Sequence, residues 1–354
     1  MILQKIKINK YILNNRIVVS PMCQYSGDNG SPTKWHYLHL LKLLTSGAGM
    51  LVMESTAVSK NGKISHADLC LSNQTQKKNF KNLIRFLKLY ENKVPICIQI
   101  SHAGRKGSSH IPWKKSNFPL NKREKSWQTY SASNIKKDVN WPTPRSLTKK
   151  NIKKVIKDFV NTAKYANQSG FDGLEIHMAH GYLLHQFFSP ISNKRIDEYG
   201  GSLKNRCKLA LEISRKVRKF WPKNKILGAR ITGSDHMKNG IGIKDSVFLA
   251  KELKKIGFDY VCVSSGGVLT KTNLKFYKGF RLKFAHEIKK KTGMITRTSG
   301  LMEDLKFSNK AMKNNKIDLV AIGRNFIKEP NFLFKFAKKV GMDNFLHNQY
   351  KRCF

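Results

Sequence analysis

The densest run of reactive side chains in this sequence is HMAHGYLLHQFFSP, which crowds His177, His180, Tyr182 and His185 together. Two imidazoles and a phenol suit a site that grips a carbonyl oxygen and delivers a proton, because a tyrosine with a pKa of about 10 stays protonated at neutral pH. A His-x-x-His pair is equally what structural histidines near a helix start look like, and both readings stand on spacing alone. A zinc site is not expected, since the run lacks the Glu of H-E-x-x-H and has no adjacent acidic ligand. A second chemical signal lies near the C-terminus, where Ser299 and Gly300 and then Gly323 and Arg324 combine small residues with a guanidinium. Close backbone approach plus a bidentate donor is what a phosphate requires, so a phosphorylated ligand is expected. The cysteines at 23, 70, 97, 207, 262 and 353 include no C-x-x-C pair, which argues against zinc ribbons and iron-sulfur clusters and for a reducing compartment.

These residues need elements to hold them. Short β-branched runs occur at 16–22, 49–55, 95–101, 173–178, 226–231, 260–265, 294–299 and 318–324. Longer segments of helical period separate them. In 151–169 the residues Ile152, Val155, Ile156, Phe159, Val160 and Ala163 form one apolar face, leaving the lysines on the other. Eight such units predict an α/β fold, a single (β/α)8 TIM barrel over 1–354, since each crossover makes a parallel neighbour. The alternative, an open doubly wound sheet, would carry a G-x-G-x-x-G turn after the first strand, and Pro21, Met22, Cys23, Gln24, Tyr25 and Ser26 stand there instead. In a barrel, catalytic residues gather at the strands' carboxyl ends. There the sequence places Cys23 and Tyr25, Ser55, Gln99 and His102, the His177 run, Arg230, Ser264 to Gly267, Ser299 and Gly300, and Gly323 and Arg324. The long stretch 104–147, after the third strand, has no clear period but carries Trp113, Trp127 and Trp141, and is expected to form a lid or capping loop.

Lys plus Arg number 67 against 22 for Asp plus Glu, a formal charge of +45, in a chain of 354 residues that is 40% hydrophobic. That apolar content excludes global disorder. The charge invites a nucleic-acid reading, but lysines outnumber arginines 53 to 14 and are scattered among many asparagines, as compositional bias would leave them. Neither a separate basic tail nor a basic and aromatic alternation occurs, so no specific nucleic-acid partner is expected. A signal peptide or membrane span is not evident either, and the reading is cytoplasmic with no membrane partner.

Four ordered motifs, SPMCQYS at 20–26, QISHAGRK at 99–106, HMAHGYLLHQFFSPISNKRIDEYGGSLKNR at 177–206 and DLVAIGR at 318–324, resemble the old yellow enzyme family of FMN-dependent ene-reductases. Cys23 followed by Tyr25 is similar to its thermophilic-like bacterial subgroup, which includes xenobiotic reductases. The resemblance implies bound FMN, reduction by NADPH or NADH, and transfer of hydride to a small electron-poor alkene conjugated to a carbonyl or nitro group. By position it implies that Ser20, Pro21, Met22, Cys23, Ser55, Gln99 and Arg230 contact the flavin and its ribityl chain. Ser299, Gly300, Gly323 and Arg324 would hold the phosphate. His177 and His180 would bind the activating oxygen, Tyr182 would protonate the α carbon, Cys23 would lie beside the flavin and tune its potential, and Tyr25 would belong to the same catalytic set. It further implies a homodimer or homotetramer in which the tail 345–354 reaches a neighbouring site through Tyr350 or Arg352. His185, Asn193 and Glu198 carry no assigned chemistry and are expected to support loops. MITRTSGLM at 294–302 departs from the subgroup's pattern and leaves the phosphate ligands there open. The alternative is an RNA-modifying FMN barrel of the dihydrouridine synthase type, but those enzymes use a cysteine acid and an appended RNA-binding domain, whereas the His, His, Tyr set favours an ene-reductase.

Overall fold

The computed structural model describes residues 1–115, 118–342 and 348–353. Eight parallel strands close a barrel: β1 (Ile17–Val19), β2 (Met50–Ala57), β3 (Ile96–Ser101), β4 (Gly173–Met178), β5 (Ile226–Thr232), β6 (Tyr260–Ser264), β7 (Ile295–Thr298) and β8 (Leu319–Ile322). They pair in chain order, and β8 returns to β1 through Val320 opposite Ile17. The outer layer is α1 (Lys34–Leu44), α2 (Gln74–Tyr90), α3 (Lys149–Gln168), α4 (Leu203–Phe220), α5 (Ile243–Ile256), α6 (Leu282–Thr292), α7 (Leu305–Lys313) and α8 (Phe332–Lys339), one after each strand.

Local chemistry sets the helix limits. Asn73, Thr148, Ser202 and Asp304 cap α2, α3, α4 and α7 by accepting an amide hydrogen two or three residues into the helix. Gly257, at φ +93°, ends α5 in the left-handed conformation that costs glycine least. In α3 the buried residues are Ile152, Val155, Ile156, Phe159, Val160, Thr162, Ala163 and Ala166, so its lysines face outward as the sequence pattern requires. None of the described helices is long and apolar enough to cross a membrane.

The barrel is filled and stoppered from below. An antiparallel hairpin, Ile6–Ile8 with Tyr11–Leu13, packs Ile8 and Leu13 against Val18, Met50, Val52, Ile226 and Leu319 near the strands' amino ends. Its turn is tied there by the Asn9 amide, which donates to Lys223 O at 2.8 Å and Asp259 Oδ1 at 3.2 Å. The barrel interior also holds a fully buried polar cluster. Glu175 accepts from Gln99 Nε2 and Tyr260 OH, each at 2.7 Å, and pairs with Arg297. Such a pair persists only where the carboxylate's lone pairs are satisfied, as both Glu175 oxygens are. With one end plugged, ligands have the carboxyl end.

The segment 104–147 contains a 3-10 turn at Gly104–Lys106, a short helix at Pro112–Lys115 and a two-residue strand pair, Tyr130–Ser131 with Arg145–Ser146. Buried Arg105 organises it, donating to Ile135 O, Lys136 O and Val268 O. This loop therefore has a polar spine that its irregular period hides.

Candidate active site at the carboxyl end of the barrel

β4 delivers His177, and the turn that follows swings His180 and Tyr182 over the mouth. His180 and Gly181 sit at φ +57° and +71°, a conformation that costs a non-glycine residue strain. A Cβ on Gly181 would stand 2.0 Å from Gly267 O, so only glycine fits between this turn and the loop after β6. His185 holds the turn closed. Its Nδ1 accepts from Gly181 N at 2.7 Å, which places the ring proton on Nε2, and Nε2 donates to Asp235 Oδ1 at 2.9 Å. Burial of Asp235 is outweighed by His185, the Ile241 amide and Ser189, which hold its carboxyl below the ordinary range. Asn193 does comparable work one turn on, donating to Phe187 O and Tyr199 O at 2.7 Å, while Glu198 pairs with Lys149 at 2.9 Å. The expected loop-support roles are what these contacts provide. His185→Ala should lower the unfolding free energy by about 3 kcal/mol, read as a lower urea midpoint, because it strands a buried carboxylate and a backbone N–H.

The rings of His177, His180 and Tyr182 form one cluster. The His177 ring is edge-on to His180 at 5.1 Å and to Tyr182 at 5.0 Å between centroids. His177 Nδ1 accepts from Ala179 N at 3.2 Å, so its proton is on Nε2, which meets His180 Nδ1 at 3.3 Å. His180 Nε2 lies 2.5 Å from Ser264 Oγ at the end of β6. Burial, then the charge of Arg230, pushes both imidazoles well below their usual pKa, so both are neutral at pH 7. Burial, with Cys23 and Tyr25 adding to it, holds the Tyr182 phenol well above its usual value and therefore protonated. The cluster thus offers N–H donors that do not titrate near neutrality and one weakly acidic O–H.

Beside it, a cavity of about 640 Å³ runs along the ends of β7 and β8, lined by Ser20, Met22, Arg281, Ser299, Gly300, Gly323 and Arg324 among others. Arg281, immediately before α6, is the residue that sequence reasoning missed. Its Nη1 donates to Ser299 Oγ at 3.2 Å, and Arg230 Nη2 reaches the same oxygen at 3.4 Å. Burial and the neighbouring Arg230 lower the Arg281 guanidinium to about 10. Among the described residues no carboxylate pairs with Arg230, Arg281 or Arg324, and Arg230 Nε is buried without a partner. Glycine keeps the wall open: a Cβ at Gly323 would stand 3.1 Å from Met22 Sδ. Arg281 and Arg324 line this glycine-walled cavity, and Arg230 meets Arg281 at Ser299 Oγ on its edge, an arrangement that fits a dianionic phosphate attached to a larger group.

The other expected residues divide. Ser55 Oγ contacts Ser101 Oγ at 2.5 Å, and Gln99 is anchored to Glu175 by its amide nitrogen, which leaves its carbonyl oxygen to accept from a ligand. Cys23 lies in a separate groove of about 450 Å³ with Gln24, Ser26, Trp35 and Trp113. Burial, then Glu54 and Asp68, raises the Cys23 thiol well above its usual pKa, so it is a neutral thiol and not a nucleophile. Tyr25, at φ +48°, packs edge-on to Trp113 at 5.8 Å. Pro21 joins Ser20 to Met22 but lines neither cavity. Tyr350 packs 6.3 Å from the Phe334 ring, at a groove with Leu38, Leu41 and Pro330 that shares no lining residue with the other two, and Arg352 is exposed. Residues 345–347 and 354 of the expected tail lie outside the described residues. Among the described residues no group of three or more His, Cys, Asp or Glu side chains is placed to hold a metal.

A plugged (β/α)8 barrel with a phosphate-fitting cavity and a nearby His, His, Tyr cluster is the architecture of a barrel enzyme with room for a phosphorylated ligand. Residues 2–343 match the model of the NADH:flavin oxidoreductase / NADH oxidase family, and the chain belongs to this family, that of old yellow enzyme. It is similar to the NADPH dehydrogenase of Clostridium acetobutylicum, 36% identical over 98% of this chain and 97% of that protein. The NADPH dehydrogenase of Geobacillus thermodenitrificans is 35% identical over 96% and 94%. Among solved structures, the old yellow enzyme homologue of Zymomonas mobilis matches with a TM-score of 0.79 at 21% identity, covering 96% of this chain and 92% of that one. The protein is accordingly an FMN-dependent NAD(P)H oxidoreductase.

Proposed function

We propose that this protein is an ene-reductase, reducing the C=C bond of α,β-unsaturated carbonyl or nitro compounds. The observation that carries the reading is the cluster of His177, His180 and Tyr182 rings at the end of β4, edge-on at 5.1 and 5.0 Å between centroids, where the surroundings favour neutral imidazoles and a protonated phenol. Reduced FMN, when bound, supplies hydride to the alkene's β carbon. Negative charge then grows on the conjugated oxygen, and preformed N–H donors stabilise it without reorganisation. His177 Nε2–H points toward His180 Nδ1, so an oxygen entering between them accepts from His177 directly. His180 Nδ1 accepts from His177 in this structure, with its own proton on Nε2 toward Ser264 Oγ. Once a ligand oxygen takes the His177 hydrogen bond, a tautomer shift would let His180 donate from Nδ1 as the second group while Nε2 accepts from the Ser264 hydroxyl. Tyr182 completes the step by giving its phenolic proton to the α carbon.

Arg230, Arg281 and Arg324, with Ser299, Gly300 and Gly323, would hold FMN by its charged groups, while Ser20, Met22, Ser55 and Gln99 would line the flavin. Arg281→Ala should weaken FMN binding by about 30-fold, measured by quenching of flavin fluorescence on adding apoprotein, because one charge-assisted hydrogen-bonding group contributes about 2 kcal/mol. Trp113 against Tyr25 supports the lid reading of 104–147. The exposed Trp35 and Leu38 on α1, next to the Tyr350 groove, are where a second copy bringing Arg352 would bind.

The test of the function is anaerobic. The yellow protein is titrated with NADPH and, separately, NADH until the flavin bleaches, then mixed with 2-cyclohexenone. Recovery of colour with formation of cyclohexanone is expected; a flavin that stays bleached overturns the assignment.

A further inference from the structure

Lys106, in the 3-10 turn after β3, has no part in the chemistry above, yet its side chain ends inside the active site. Its Nζ donates to His180 O at 2.8 Å and stands 5.0 Å from the centroid of the Tyr182 ring. Among the described residues no carboxylate pairs with it. The charged groups facing it are cationic: Lys137 and Arg105 from the loop after β3, with His177 and His180 neutral across the turn.

A half-buried phenol that surrenders its proton becomes a poorly solvated phenolate, and the same desolvation that keeps Tyr182 protonated opposes that product. A cation already seated on the ring face lowers the cost, because its attraction to the ring grows as the ring gains charge. We propose that Lys106 is a positioning residue for the proton-transfer step, its ammonium stabilising the phenolate left when Tyr182 protonates the alkene's α carbon. Tyr182 loses a proton, carbon gains it, and water restores it after product leaves; Lys106 keeps its own protons throughout. The inference rests on the ene-reductase reading and assigns the residue that tunes its acid.

Burial, then Lys137 and Arg105, lowers the Lys106 ammonium to about 7, so the assisting charge is present below that pH and lost above it. Reoxidation of the reduced holoenzyme by 2-cyclohexenone, followed by stopped flow from pH 5.5 to 9, should therefore fall as pH rises through about 7. Lys106→Met should slow this step by about tenfold at pH 6 and remove the inflection. Lys106→Arg, which stays charged and can still reach His180 O, should restore the rate and extend it to higher pH. Thermal unfolding of each variant accounts for any loss of the His180 O contact, which would lower stability without moving a pH profile. If wild type is reoxidised and Tyr182→Phe is slowed but Lys106→Met keeps the wild-type rate and inflection, the proposal fails and the ene-reductase reading stands. If wild type is not reoxidised by the enone, both fail.

Discussion

Tyr182→Phe should slow reoxidation by 2-cyclohexenone by about 10²- to 10³-fold while leaving flavin reduction by NADPH within about twofold. The substitution removes one oxygen and keeps the ring, so the edge-on contact to His177 at 5.0 Å and the Lys106 contact both survive. Only the proton source is lost. Hydride transfer from NADPH to the flavin needs no proton from Tyr182, which is why the two half-reactions should separate. Measured by anaerobic stopped flow, an equal loss in both would show that the phenol orders the site and does not act as its acid.

His177→Ala should cost about 10²- to 10³-fold in alkene reduction, the usual penalty for removing one preorganised oxyanion donor. His177 is the sharper choice of the two imidazoles because its tautomer is set by the Ala179 amide, so its Nε2–H is a donor before any substrate arrives. His177→Asn keeps an N–H and should recover a substantial part of the loss. The direction of the pKa shifts adds a second expectation. Both imidazoles are held well below their ordinary value, so neither gains a proton between pH 6 and 8 and the rate should show no acid limb from them there. A rate that rises steeply with pH through 6.5 in wild type but not in His177→Ala would mean that His177 titrates and that its environment is more polar than the fold indicates.

Much of this architecture is legible in the sequence. The eight apolar runs mark eight strands, and the His177 run lies where β4 ends. Strand and helix periods are local properties, so the chain carries them openly. The amino-terminal hairpin is not legible there, because three-residue strands joined by Asn9 and Lys10 are too short to show a period. The charge of +45 invited a nucleic-acid partner; on α3 the lysines lie on the outward face, away from the chemistry.

What the sequence determined by itself was the fold class and the family motifs, together with the proposed His177, His180 and Tyr182 set, since strand and helix periods and motifs are local. Tertiary structure decided which charges converge. Arg281 comes before α6 with no motif around it, and it matters because the barrel's closure brings it to Ser299 beside Arg230, 51 positions away in the chain. Ser264 and Lys106 reach His180 in the same way, from β6 and from the turn after β3. Electrostatic tuning depends on distance and burial, and neither is defined until the strands close.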